Sequence, residues 1–70
     1  MTISLNIQER GGFYVGQRVR ATERYMMLYK RSKIREGVIR NFCRGTEMRV
    51  QFDALIGSIH IDERFIEAME

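Results

Sequence analysis

Between Met48 and Leu55 the chain alternates strictly. Met48, Val50, Phe52 and Ala54 are apolar or small, while Arg49, Gln51 and Asp53 between them are polar. A period of two is what a strand with one face in a core and the other in water demands, because successive side chains point to opposite faces. The same alternation runs through Thr2-Ile3-Ser4-Leu5-Asn6-Ile7-Gln8. It recurs from Phe13 to Thr22, where Phe13, Val15, Val19 and Ala21 share one face and Arg18, Arg20 and Thr22 the other. Two more strand-like runs span Gly37 to Cys43 and Ser58 to Asp62, and the breaks fall at Gly11-Gly12, Arg44-Gly45-Thr46 and Gly57. Short strands joined by tight turns in 70 residues predict one small all-β domain. A barrel suits such a chain better than an open sheet, whose edges would stay exposed.

Two stretches depart from this pattern. Glu23 to Arg35 carries Tyr25, Leu28, Tyr29 and Ser32 at helical spacing but also Lys30-Arg31-Ser32-Lys33, and no cap stands out. It reads as a long, mobile loop with room for one helical turn. In Glu63 to Glu70, Phe65, Ile66 and Met69 recur at helical spacing, which predicts a short helix plugging one end.

Length and cysteine content exclude several classes. A chain of this size buries only about 60% of the surface its unfolded form exposes, so self-association would add to a thin margin of stability. The single cysteine, Cys43, rules out an internal disulfide framework or a zinc knuckle. No apolar run approaches the roughly 18 residues of a membrane span, and no signal-peptide core follows Met1. The expectation is a cytoplasmic protein with no membrane partner.

Phe13-Tyr14-Val15-Gly16-Gln17-Arg18-Val19-Arg20-Ala21 reads as an opening strand, and Gly37-Val38-Ile39 enters a second after a long variable loop. Val50-Gln51-Phe52-Asp53 and the closing Ile59-His60-Ile61 complete a pattern that resembles the SH3-like small barrels of KOW and Tudor type, over residues 13 to 67. The resemblance implies a single SH3-like barrel of about five strands with a short C-terminal helical turn. Its domain is 1–70, with 1–12 as an N-terminal strand and turn, 13–67 as the barrel and 23–35 as the long basic loop.

A narrower similarity is to the plasmid-borne type II dihydrofolate reductases, in Gly16-Gln17-Arg18-Val19-Arg20 and again across Val50-Gln51-Phe52-Asp53-Ala54-Leu55-Ile56-Gly57-Ser58-Ile59-His60-Ile61. That family implies a tetramer around one central pore and NADPH-dependent reduction. Its pore motif Val-Gln-Ile-Tyr is replaced here by Ile59-His60-Ile61-Asp62, and its basic residue after Arg-Val-Arg falls at Ala21. The resemblance supports the fold and argues against the activity. A compact single-module chain is also typical of phage and plasmid accessory genes.

Candidate chemistry is sparse. Ser58, His60 and Asp62 share one strand face, but positions two apart on a strand are roughly 6.5–7 Å apart, beyond the reach of a proton relay. His60 is the only histidine, and Cys43 lies elsewhere in the chain, so a metal site would need carboxylates or a second subunit. In an oligomer His60 would meet its symmetry mate and Asp62 and titrate near neutral pH. Cys43 lies near Arg40 and Arg44 in sequence, cations that favour thiolate, yet a half-buried strand residue is the commoner fate of a free cysteine. The glycines form neither a P-loop nor a dinucleotide fingerprint. No catalytic residue, metal or cofactor is expected.

Charge is the stronger signal. From Arg10 to Arg49, 11 Lys and Arg stand against Glu23, Glu36 and Glu47, a local charge of +8, whereas Val50 to Glu70 carries −4. Ten of the 12 basic residues are arginine, whose planar fork grips phosphate or carboxylate bidentately. The expected function is therefore a non-enzymatic binding module for nucleic acid, DNA or RNA, through Arg18, Arg20, Arg40, Arg44 and Arg49 with Lys30, Arg31, Lys33 and Arg35 of the loop. Tyrosines beside the loop would stack on exposed bases. The alternative is a protein-interaction or regulatory module for an acidic protein or for a second copy in a homo-oligomer. It would dock through Tyr25, Met26, Met27, Leu28 and Tyr29, because Met-rich apolar surface adapts readily to a partner. A third alternative is a tetrameric reductase built around Ile59, His60 and Ile61.

Overall fold

The computed structural model describes residues 4–5 and 7–69. Eight strands occur among them: β1 (Ser4–Leu5), β2 (Glu9–Arg10), β3 (Phe13–Tyr14), β4 (Arg18–Ala21), β5 (Glu36–Cys43), β6 (Glu47–Phe52), β7 (Ile59–Asp62) and β8 (Ile66–Ala68). One helix, α1 (Glu23–Leu28), separates β4 from β5, and a 3-10 turn, Glu63–Phe65, separates β7 from β8. The fold is all-β, with a five-stranded antiparallel path in the order β7-β6-β5-β4-β8. β1 pairs with the far end of β5, placing Ser4 opposite Cys43 and Leu5 opposite Phe42.

β5 holds this arrangement together because its two halves serve different neighbours. Its first residues pair with β4 and its last with β1, while β6 runs along the other side. The register slips between Ile39 and Asn41, leaving Arg40 as the extra residue of a bulge. A bulge bends the strand and shifts the side-chain parity by one. Gly37 and Ile39 point inward before it, and Phe42 points inward after it. Without the slip, Phe42 would face water. The preceding Gly37 is set by a close approach: a Cβ there would lie 2.5 Å from the Gln51 carbonyl oxygen and 2.8 Å from the Phe52 Cα.

The core consists of Val19, Ala21, Ile34, Ile39, Phe42, Met48, Val50, Phe52, Ile61 and Ile66, all buried, with Phe13, Val15, Tyr25, Met26, Leu55, Ile59 and Phe65 packed around it. Met48, Val50 and Phe52 of β6 are fully buried, as their alternation requires, while Ala54 lies beyond the strand and is exposed.

Several expectations are corrected. Phe13 to Thr22 is two short strands rather than one, because Gly16 takes φ +92 and turns the chain, a conformation that favours glycine. Phe13-Tyr14 instead folds back on Glu9-Arg10 across Gly11 and Gly12, whose positive φ values, +59 and +86, match a two-residue hairpin turn. Among the described residues of the opening Thr2–Gln8 run, Ser4–Leu5 forms a strand and Ile7 is exposed; Thr2, Ile3 and Asn6 lie outside the described residues.

The 23–35 segment is a helix followed by a folded turn rather than a long loop. Thr22, expected on a strand face, caps the helix: its side-chain oxygen accepts from the Tyr25 backbone N–H at 3.1 Å. The expected C-terminal helical turn is the 3-10 turn Glu63–Phe65, but the helix does not continue through the tail. Asp62 caps only the 3-10 turn, and Ile66–Ala68 then straightens into β8 against β4. That pairing buries Ile66 opposite Ala21, a larger gain than a free helix of a few residues provides. Cys43 is fully buried rather than half-buried. Burial pushes its thiol pKa up, with the Glu47 carboxylate adding to the shift and Arg10 and Arg49 opposing it. It is therefore a core residue rather than a nucleophile.

Candidate functional site

The structure divides the expected basic set by what each side chain already holds. Arg18 donates to both carboxylate oxygens of Asp53, at 3.1 and 2.9 Å, and to Glu36 at 3.2 Å. Those partners raise the pKa of Arg18, and its hydrogen bonds hold Asp53 below the ordinary carboxylate range. Arg20 donates through Nε to Glu67 at 2.7 Å, across the β4–β8 ladder. The β4 outer face is thus balanced by carboxylates from β5, β8 and the turn after β6. Arg35 donates to the carbonyls of Ser32 and Ile34, and Arg49 donates to the Ser58 hydroxyl at 2.6 Å.

Arg24, Lys30, Arg31, Lys33, Arg40 and Arg44 are exposed, and none forms an ion pair with another described residue. Lys30, Arg31 and Lys33 sit on a turn that Ser32 fastens to the helix. Its backbone N–H donates to the Tyr29 carbonyl at 3.0 Å, and its hydroxyl lies 3.1 Å from the Tyr25 hydroxyl and accepts from the Ile34 N–H. Ile34 then enters the core, so the cations are carried on an anchored turn. Arg40 lies in the β5 bulge and Arg44 in the β5–β6 turn, elements other than this turn.

The aromatic side of α1 forms a cluster with the 3-10 turn. Ring centroids of Tyr25 and Tyr29 are 4.8 Å apart, and Phe65 meets them edge-on at 5.7 and 6.3 Å. These rings wall an open groove of about 340 Å³ completed by Glu47, Ile59, His60, Ile61 and Asp62. Neighbouring residues of β7 all line it, so the groove runs along the outer edge of that strand. The five apolar residues expected to act as one docking surface therefore divide. Tyr25 and Met26 pack against the core, whereas Met27, Leu28 and Tyr29 are 65, 58 and 50% exposed.

His60 and Asp62 share the outer face of the strand with Ser58, and Ser58 and Asp62 are held by different partners. Asp62 accepts from the Arg64 backbone N–H and from the Thr46 hydroxyl, and these bonds, in that order, hold its carboxyl below the usual range. Ser58 receives Arg49, and His60 stands opposite Arg49 in the β6–β7 register. Nothing links the three as a relay. Among the described residues no group of three or more His, Cys, Asp or Glu is arranged to hold a metal ion, and no helix is long and apolar enough to cross a membrane.

Sequence reasoning missed Arg10. Its guanidinium donates to the Cys43 carbonyl at 2.6 Å and the Glu47 carbonyl at 2.7 Å and lies 4.9 Å from the Phe42 ring centroid. It clamps the two ends of the β5–β6 turn to the small hairpin. The single signal available was its place next to Gly11-Gly12, which turns the chain back there.

Comparison of the chain with protein-family profiles, with curated proteins and with solved structures finds no significant match.

Proposed function

We propose that this protein is a small, non-enzymatic nucleic-acid-binding module with an SH3-like barrel as its scaffold. The strand order, with a long excursion after β4 and a 3-10 turn before the last strand, supports that scaffold. One observation carries the functional reading: the anchored turn Lys30, Arg31 and Lys33 presents cations with no carboxylate partner among the described residues, directly after the exposed Tyr29 ring. Arg49, opposite His60 in the β6–β7 register, adds a fourth cation. Phosphates are the complementary partner, since neutralising them releases condensed counterions and makes binding fall steeply with salt. Arg18 and Arg20, held by carboxylates, contribute less than their number in the sequence implies.

Fluorescence anisotropy with labelled oligonucleotides at several salt concentrations tests the reading. Four phosphate contacts give a slope of log K against log salt of about −3 for a single strand. Lys30→Ala/Arg31→Ala flattens it, and Arg18→Gln/Arg20→Gln leaves it nearly unchanged. Absence of saturable binding at low salt overturns the proposal. Exposure of Met27 and Leu28 favours, as the second reading, docking of a protein partner on α1. In that case Met27→Ser/Leu28→Ser abolishes partner binding and spares oligonucleotide affinity.

A further inference from the structure

The groove between α1 and β7 brings together two chemistries that a phosphate alone does not need. Its walls are the π faces and edges of Tyr25, Tyr29 and Phe65, with the imidazole of His60 on the strand side. Glu47 and Asp62 also line it, and no Lys or Arg is among its lining residues. The cations stand outside that lining: Lys30, Arg31 and Lys33 follow Tyr29 in the chain, and Arg49 stands opposite His60 in the β6–β7 register. An occupant that uses both chemistries presents a flat face to the aromatic groove and negative charge to the cations next to Tyr29 and His60. We propose that the groove takes an unpaired nucleobase of a single-stranded nucleic acid, stacked against Tyr29, with the flanking phosphates on the Lys30–Lys33 turn and on Arg49.

This inference rests on the nucleic-acid reading and narrows it to single strands. Bases in a duplex are stacked on one another and present only their edges, so a stacking site selects the unpaired strand. The volume of the groove, about 340 Å³, lies within the range of small-ligand sites. Tyr29 is half exposed, so one ring face remains available. Tyr25 instead points its hydroxyl at Ser32 and supports the stack from behind. The chemistry is shared by DNA and RNA, so the test carries both sugars.

The experiment measures anisotropy of labelled oligothymidylate and oligouridylate against a duplex of equal length and against an abasic sugar-phosphate strand. The expected result is that both single strands bind at least about tenfold more tightly than the duplex or the abasic strand. Tyr29→Leu, which keeps apolar volume but removes the ring, loses about tenfold on single strands and nothing on the abasic strand; Tyr29→Phe retains binding. A thermal melt of each variant verifies the fold. Equal binding of the abasic strand or the duplex overturns the base site and leaves the phosphate-binding reading standing. Absence of binding to every strand at low salt overturns both.

Discussion

Arg10 shows how a charged side chain becomes part of the framework. Its two terminal nitrogens satisfy carbonyls at Cys43 and Glu47, while its plane lies near the Phe42 ring. A guanidinium reaches two acceptors in one plane, which an ammonium on a flexible stem cannot reproduce. The carbonyls belong to residues flanking Arg44-Gly45-Thr46, so the contact ties that turn to the β2–β3 hairpin. Arg10→Ala removes two charge-assisted hydrogen bonds and is expected to cost about 2–3 kcal/mol in urea unfolding, whereas Arg10→Lys recovers less than half of that. Equal stability of the Ala and wild-type chains contradicts the clamp. Arg18 and Arg20, which pair with carboxylates at exposed positions, carry no comparable expectation, because surface ion pairs contribute little.

At the scale of elements, α1 depends on its start. Six residues give few internal hydrogen bonds, and a helix that short does not persist by propensity alone. Thr22 satisfies the Tyr25 N–H, Glu23 complements the N-terminal dipole, and Tyr25 and Met26 pack on the core. Thr22→Ala is expected to destabilise the protein by about 1 kcal/mol, and Thr22→Ser to restore most of it. Near-UV circular dichroism of the tyrosines reports the same loss, because Tyr29 holds its place against Phe65 only when the helix forms. β6 was legible from sequence because Met48, Val50 and Phe52 alternate with Arg49 and Gln51 without interruption, whereas β5 was legible as a strand-like run but not in its bulge at Arg40. The helix was not: its cap is a threonine that also continues a strand alternation, and both patterns claim Thr22. β8 was illegible for a different reason. Phe65, Ile66 and Met69 fit a helical period, and only pairing with β4, more than forty residues away in sequence, decides for a strand. The candidate cations were visible in the sequence as a set of basic residues. Which of them are already neutralised depends on Asp53, Glu36 and Glu67 arriving from other strands, and no local pattern carries that.

For the whole molecule, that division of charge sets the response to acid. The carboxylates most firmly engaged are Asp53, held low chiefly by the hydrogen bonds of Arg18, and Asp62, held low by the Arg64 N–H and then the Thr46 hydroxyl. Each has a folded-state pKa below its unfolded value, so the unfolded chain binds these protons more readily. Their stabilisation is complete above the unfolded carboxylate range and is lost as pH falls through the folded values. Protonation also releases Arg18 from Asp53, and the molecule, already at +3 near neutrality, accumulates positive charge that repels itself. The urea midpoint is thus expected to stay level from about pH 8 to about pH 5 and to decline below that. Asp62→Asn keeps a cap acceptor but no longer titrates. It should lower the midpoint at neutral pH and flatten the acid decline, the two curves converging at low pH. Parallel curves would mean that Asp62 has the same proton affinity folded and unfolded, and that its bonds to Arg64 and Thr46 do not discriminate between its charge states.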